Sequence, residues 1–181
     1  MVGAGGIFVT GTDTNVGKTV IACLIARGLR RYGIDCGVMK PVQCGGRDAR
    51  RLMRAAGAKD SLSLVLPMFS PYACAPSIAL PRAGVRFSPA RIKQAYRKLS
   101  LRHEFMVVEG AGGVLAPLAA KYFILDLIQD LGLPAVVVAA AGLGTINHTL
   151  LTIECLRARG IKILGLIFNN LSPRRDISQT H

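Results

Sequence analysis

Five short runs of the chain are continuously apolar: IFVT (7–10), DCGVMK (35–40), FMVVEG (105–110), AVVVAA (135–140) and KILGLIFN (162–169). None shows the in-out alternation of a half-buried strand. A strand that is apolar on both faces has to be covered on both faces, which is the condition of a parallel sheet between two layers of helices. The segments between the runs fit that role. The spacing predicts helices over 17–33, with Val20, Leu24 and Leu29 on or near one face and Gly33 as the stop, over about 47–57, over 122–132 and over 146–160. A fifth helix is expected to open at Ser88 as N-cap, with Pro89 at its first position, and to run to about His103. Residues 60–87 hold four prolines and read mostly as loop, as does AGGVLAPLAAK; residues 170–181 read as a polar tail. The fold class predicted is α/β, a three-layer sandwich around a mainly parallel sheet.

Composition narrows the class. The 181 residues suit a single domain (1–181), and 51% hydrophobic residues argue against disorder. No apolar run approaches the roughly 20 residues of a membrane helix, so no membrane association is expected. The opening MVGAGGIFVTG lacks a basic segment and reads as the first strand, not as a signal peptide. Five scattered cysteines without a CxxC pair fit free thiols in a cytoplasmic protein. The net charge of +13 admits anionic ligands or nucleic acid. The basic residues are spread, aromatics are 6% and Trp is absent, so a solvated basic surface is expected ahead of a nucleic-acid site.

In parallel sheets ligands bind beyond the carboxyl ends of the strands. The loops beginning at Gly11, Lys40, Glu109, Ala140 and Asn169 therefore matter most. The first reads GTDTNVGKT. Gly17, Lys18 and Thr19 occupy the closing positions of a phosphate-binding loop, but Thr12 stands where the first glycine is usual, and Gly11 comes one residue early. A loop closed this way at a helix start aims N–H groups and the helix dipole at an anion; Lys18 would reach the outer phosphates and the Thr19 hydroxyl would ligate Mg²⁺. Thr12 and Thr14 can add hydroxyls. Glu109, between FMVV and GAGG, can hold Mg²⁺ directly or through water, or be a solvated loop residue. Lys40 could stabilise charge on a transferred group, or lie at the surface. Asp48 could be a metal ligand or an ion-pair partner. LGTINH, with Leu143, Gly144 and Asn147, could receive a carboxylate at a helix start, or simply cap the helix. The sheet class with this loop makes the fold P-loop NTPase-like.

GTDTNVGKT, KPVQCGG, VEGAGG, LGLPAVVVAAAGLGTINHTLLTIECLRARGI and GLIFNN, in this order and spacing, resemble the dethiobiotin synthetase family over nearly the whole chain. The displaced glycine is a feature of that family. The resemblance implies an ATP- and Mg²⁺-dependent ligase that forms C–N bonds. Its substrates would be 7,8-diaminononanoate and CO₂, and its reaction would close the ureido ring of dethiobiotin through a carbamate and a carbamic-phosphoric anhydride. It also implies the roles of particular residues. Thr12, Asp13, Thr14, Asn15, Val16, Gly17, Lys18 and Thr19 would hold the phosphates, with Lys18 acting in phosphoryl transfer. Thr19, Asp48 and Glu109 would hold Mg²⁺, and Lys40 would stabilise the carbamate. Cys44, Gly112 and Gly113 would lie beside the diamine. Leu143, Gly144 and Asn147 would meet its carboxylate tail across a homodimer interface, and Asn169 would read adenine.

Three departures from the family pattern stand out. Cys44 replaces the usual Ser or Thr, Ala119-Ala120 replace a commonly polar site, and the chain is C-terminally short relative to the family. Two other readings keep the fold: a catalytically impaired or regulatory relative, and a MinD-like ATPase switch. The switch class usually carries an additional lysine early in the loop, where this chain has Asp13 and Thr14.

Overall fold

The computed structural model of the protein describes residues 5–170. In chain order the elements are β1 (Gly5–Gly11), α1 (Lys18–Arg31), β2 (Cys36–Met39), β3 (Val42–Cys44), α2 (Asp48–Ala56), α3 (Leu62–Val65), β4 (Met68–Ser70) and α4 (Pro76–Arg82). They continue with α5 (Pro89–Ser100), β5 (Phe105–Glu109), β6 (Pro117–Ala119), β7 (Tyr122–Phe123), α6 (Ile124–Leu131), β8 (Ala135–Ala140), α7 (Thr145–Ala158) and β9 (Ile163–Asn169). The five apolar runs form one sheet in the order β2-β5-β1-β8-β9, with every pairing parallel. The predicted three-layer α/β class is what the chain forms. The tail beyond residue 170 lies outside the described residues.

Successive strand residues serve opposite faces. Ile7 and Val9 of β1, Val107 of β5 and Val138 of β8 join a core under α1 and α2, which supply Ile21, Ala22, Ala26 and Leu52. Phe8, Met106, Val108 and Val137 join the other core, closed by Ile92 and Leu99 of α5 and by Leu127 and Ile128 of α6. This two-sided burial is why the runs of β1, β2, β5 and β8 are continuously apolar. Strand β9, at the sheet edge, departs from the expectation, with Leu164, Leu166 and Phe168 exposed on one face.

Several local expectations change. On α1, Val20 and Leu24 are exposed, while Ile21, Ala22 and Ala26 are buried and Leu29 is partly covered. The small Ala22 and Ala26 let the helix lie close on the sheet, which rotates the two larger side chains outward. Residues 60–87 contain α3, β4 and α4 and are not mostly loop. Pro76 occupies a first-turn position of α4, where the missing N–H costs nothing. Helix α5 is capped as expected, with Ser88 Oγ accepting the Arg91 N–H at 3.2 Å, but it stops at Ser100. Helix α6 begins at Ile124, because Tyr122 and Phe123 pair with β6 instead. At the amino ends of β2 and β5, His103 bridges Asp35 (3.0 Å) and Asp60 (2.9 Å). Among the described residues no helix is long and apolar enough to cross a membrane.

Candidate functional site

The carboxyl ends of β1, β2 and β5 open onto a cleft of about 970 Å³. Its floor is the loop between β1 and α1. Gly11 ends β1 where a Cβ would lie 2.7 Å from Val16 Cγ2 and 3.1 Å from the Lys18 stem, so no larger residue fits without displacement. That close packing explains why the glycine belongs at position 11. The chain then turns with Asn15 at φ 57° and Gly17 at φ 97°. Asparagine and glycine are the residues that accept this left-handed conformation at least cost. Helix α1 starts without a side-chain cap and without an acid in its first turn, so its first N–H groups face the cleft unneutralised.

Lys18 is 6% exposed, and its ammonium donates to the Asp13 carbonyl at 2.5 Å. Burial, then the nearby Lys40 charge, lowers its pKa from 10.5 to about 8. Thr12, Asp13, Thr14, Asn15, Gly17 and Thr19 line the same cleft, whereas Val16 turns into the core.

Behind the loop sits a polar chain centred on the buried Lys40 and Glu109, with Thr19 and Asp48 partly exposed at its ends. Thr19 Oγ1 donates to Glu109 Oε1 at 2.6 Å, and Lys40 Nζ donates to the same oxygen at 2.7 Å. Lys40 also donates to the Gly110 carbonyl at 2.8 Å and reaches Asp48 Oδ2 at 3.3 Å. Lys40 is 3% exposed and Glu109 1%, which removes the surface readings of both. Glu109 Oε2 is buried and has no hydrogen-bond partner. A full negative charge with one bare oxygen in a dry site is costly unless a cation or donor arrives. Thr19, Asp48 and Glu109 therefore fit a hard divalent cation. Among the described residues no group of three or more His, Cys, Asp and Glu has a metal-binding arrangement. A hydroxyl with one or two carboxylates, completed by phosphates and water, is how Mg²⁺ is usually held.

Cys44, Gly112 and Gly113 also line the cleft. Burial, with a smaller push from Cys74, raises the Cys44 thiol to about 11, so it is a neutral, weak hydrogen-bonding group near neutral pH. Leu143, Gly144 and Asn147 do not line the cleft. Gly144 is the left-handed N-cap of α7, and Leu143 is 85% exposed. Asn169, at the end of β9, also lies outside the lining; its amide donates to the Val16 carbonyl at 2.9 Å and ties β9 to the loop. Sequence reasoning missed Gln43, Arg51, Cys74 and Pro76, and His148, Leu151, Thr152 and Cys155 of α7, all of which line the cleft. Gln43 stood inside the quoted KPVQCGG, and the four α7 residues inside the quoted stretch that ends LLTIECLRARGI, but which of their side chains face the cleft depends on tertiary packing, as does the approach of Arg51, Cys74 and Pro76.

A family model described as an AAA domain matches residues 5–181. The protein of Anaeromyxobacter dehalogenans strain 2CP-C named ATP-dependent dethiobiotin synthetase BioD is 47% identical over 178 residues, covering 96% of this chain and 80% of the relative. The protein of the same name from Methanocaldococcus jannaschii is 42% identical over 179 residues, covering 94% and 82%. The chain belongs to the dethiobiotin synthetase family. The kinase domain of the Escherichia coli tyrosine kinase ETK shares the fold, with a TM-score of 0.62 at 19% identity over 94% of this chain and 69% of that one. The signal recognition particle receptor FtsY from Elizabethkingia anophelis, in complex with GDP, has a TM-score of 0.56 at 12% identity over 99% and 53%. Family membership favours the ligase over the regulatory and switch readings.

Proposed function

We propose that the chain is an ATP-dependent dethiobiotin synthetase, a C–N bond-forming ligase of biotin biosynthesis. It joins CO₂ to 7,8-diaminononanoate and closes the ureido ring of dethiobiotin, converting ATP to ADP and phosphate. One amine of the diamine adds to CO₂ and loses a proton, giving a carbamate. A carbamate oxygen takes the γ-phosphoryl group of ATP, and ADP leaves. The second amine attacks the carbonyl carbon of this anhydride, and phosphate departs as the ring closes.

The observation that carries the reading is the polar chain Thr19–Glu109–Lys40–Asp48, buried at Glu109 and Lys40, directly behind the phosphate loop. Phosphoryl transfer is catalysed mainly by positioning and by charge stabilisation, and every member of this chain is placed for one of the two. Thr12, Asp13, Thr14, Asn15, Val16 and Gly17 wrap the phosphates with backbone N–H groups. Lys18 leaves the Asp13 carbonyl for the outer phosphates, whose charge raises its pKa and keeps it protonated. Thr19, Asp48 and Glu109 hold Mg²⁺, which supplies positive charge against the phosphates when bound.

The Lys40 ammonium donates two hydrogen bonds, to Glu109 and to the Gly110 carbonyl, and makes a third, longer contact with Asp48 as an ion pair. An arriving carbamate displaces the longest of the three contacts, to Asp48 at 3.3 Å. Lys40 would then face the carbamate anion, and the Asp48 carboxylate would be free to hold Mg²⁺ with Thr19 and Glu109. Cys44, Gly112 and Gly113 flank the diamine. Asn169 offers the adenine its amide once the bond to Val16 is exchanged.

The exposed apolar side chains Val20 and Leu24 of α1 and Ile146, Leu150 and Leu151 of α7 support a homodimer that covers the cleft mouth. Leu143, Gly144 and Asn147 would then meet the carboxylate tail of the partner's diamine. We place the protein in the cytoplasm, as a single domain over 1–181, without a nucleic-acid partner.

The test is ADP release from purified protein with Mg-ATP and bicarbonate, with and without 7,8-diaminononanoate, and mass spectrometry for dethiobiotin. The reading requires ADP and dethiobiotin together, only with the diamine. Folded protein that binds ATP but makes neither would return the regulatory reading.

A further inference from the structure

The loop that carries Asp48 is short and unusual. Strand β3 ends at Cys44, Gly45 and Gly46 both take left-handed angles (φ 70° and 66°), and α2 begins at Asp48. The residue at the N-cap position, Arg47, contributes no side-chain cap. The cap comes instead from the preceding strand. Gln43 Oε1 accepts the Ala49 N–H at 2.9 Å, and Gln43 Nε2 donates to the Gly46 carbonyl at 3.0 Å. Gln43 is 4% exposed and Ala49 1%, so the bond between them is shielded from solvent, while the bond to the Gly46 carbonyl is part-buried. The two bonds grip the backbone on either side of Arg47 and Asp48.

We propose that Gln43 is a positioning residue for the metal site: it fixes the backbone of Asp48 against β3, so that the Asp48 carboxylate is already in the cleft when Lys40 releases it. The inference rests on Asp48 being a metal ligand, as read above. Its chemistry is specific. Only a side chain with both an acceptor and a donor, at the reach of glutamine, closes the Gly46 carbonyl and the Ala49 N–H at once. Each group is an orphan of a helix start or a tight turn, and the Ala49 N–H would otherwise be buried unpaired. Gln43 also lines the cleft, so the restraint is applied from the same strand that presents Cys44. Without Gln43 the helix still forms, because Leu52 and Ala56 hold it in the core. What is lost is the fixed start of the helix, and with it the placement of Asp48.

The experiment compares the full chain with Gln43→Met and Gln43→Glu. Hydrogen exchange at the Ala49 amide needs no ligand. It should be about fivefold or more faster in Gln43→Met, the usual effect of losing a cap. It should return towards wild type in Gln43→Glu, which keeps the acceptor, and amides of α1 and β5 should not change in either. Mn²⁺ binding in the presence of ADP, followed by electron paramagnetic resonance, should weaken about tenfold in Gln43→Met, roughly one lost ligand's worth of order. In the ligase assay the Mg²⁺ concentration needed for half-maximal rate should rise about tenfold in Gln43→Met, in step with the weaker Mn²⁺ binding. Unchanged Ala49 exchange in Gln43→Met overturns the cap. Faster exchange with unchanged Mn²⁺ binding overturns the link to the metal. A wild-type chain that makes no dethiobiotin sinks the proposed function, while the exchange and Mn²⁺ measurements still decide the role of Gln43.

Discussion

Lys18→Met should make the empty protein more stable while removing its chemistry. The ammonium of Lys18 is buried beside Lys40, and its pKa falls from 10.5 to about 8. That fall means the charged form is held in the folded state at a cost of about 3 kcal/mol, since a tenfold change in an equilibrium is worth about 1.4 kcal/mol. Methionine keeps the stem that packs on Gly11 and drops the charge. It also forfeits the bond to the Asp13 carbonyl, worth about 1 kcal/mol net. The variant should gain about 2 kcal/mol at pH 7, or about 4–8 °C in Tm for a chain of this size.

The pH dependence identifies the cause. Below pH 8 both the folded and the unfolded wild-type chain carry the Lys18 proton, and the cost is present in full. Between about 8 and 10.5 the unfolded chain keeps a proton that the folded chain has released, so wild-type stability rises with pH relative to the variant. The advantage of Lys18→Met should therefore shrink across that window. The assay is thermal or urea unfolding of both proteins from pH 7 to 10, with and without Mg-ATP. Nucleotide should stabilise only the wild type, and ligase activity should be absent from the variant. A variant that is less stable at pH 7, or whose difference from wild type does not change with pH, would refute the argument that charge burial is the cost.

Other expectations follow from the same contacts. Glu109→Gln should raise the Mg²⁺ concentration needed for half-maximal rate about tenfold or more, because the bare Oε2 loses its charge; an unchanged Mg²⁺ titration removes Glu109 from the metal site. Gly11→Ala should destabilise the protein by about 1–3 kcal/mol and weaken ATP binding, because the added methyl group collides with Val16; normal denaturant midpoints would show that the loop yields freely. Burial lowers the pKa of His103, but its hydrogen bonds to Asp35 and Asp60, and their charges, more than reverse this, so the net shift is upward. The bridge should therefore stabilise the fold fully below about pH 6.5 and fade as pH rises through the higher folded-state value. The stability lost in His103→Gln should be larger at pH 6 than at pH 9, and a pH-independent loss would count against the bridge.

Much of the fold was legible because burial on both faces leaves an unmistakable mark. The runs at 7–10 and 135–140 are central strands buried on both faces, as their pattern requires; the run at 162–169 joins the same sheet only as its edge, where Leu164, Leu166 and Phe168 are exposed on one face. Lys18 was legible from the Gly-Lys-Thr close of the phosphate loop, and Lys40 and Glu109 were marked for a related reason. A charged residue at the end of an apolar run has to be directed at something, and here Lys40 and Glu109 are directed at each other. Residues 60–87 were not legible. Their prolines read as loop, yet Pro76 fits the first turn of α4, and β4 exists only because it pairs with β3. Local pattern likewise assigned Val20 and Leu24 to the core, where the close approach of Ala22 and Ala26 turned them out.

The sequence by itself determined the layered α/β architecture, the phosphate loop and the family, since each is written in contiguous residues whose spacing carries the physics. The tertiary structure alone decided that Thr19, Lys40, Asp48 and Glu109 share one network around the buried Lys40–Glu109 pair, that one oxygen of Glu109 is left bare, and that Gln43 anchors the start of α2. Those facts join residues up to 90 positions apart. No local propensity encodes them; they arise only when the strand ends are brought together and water is excluded between them.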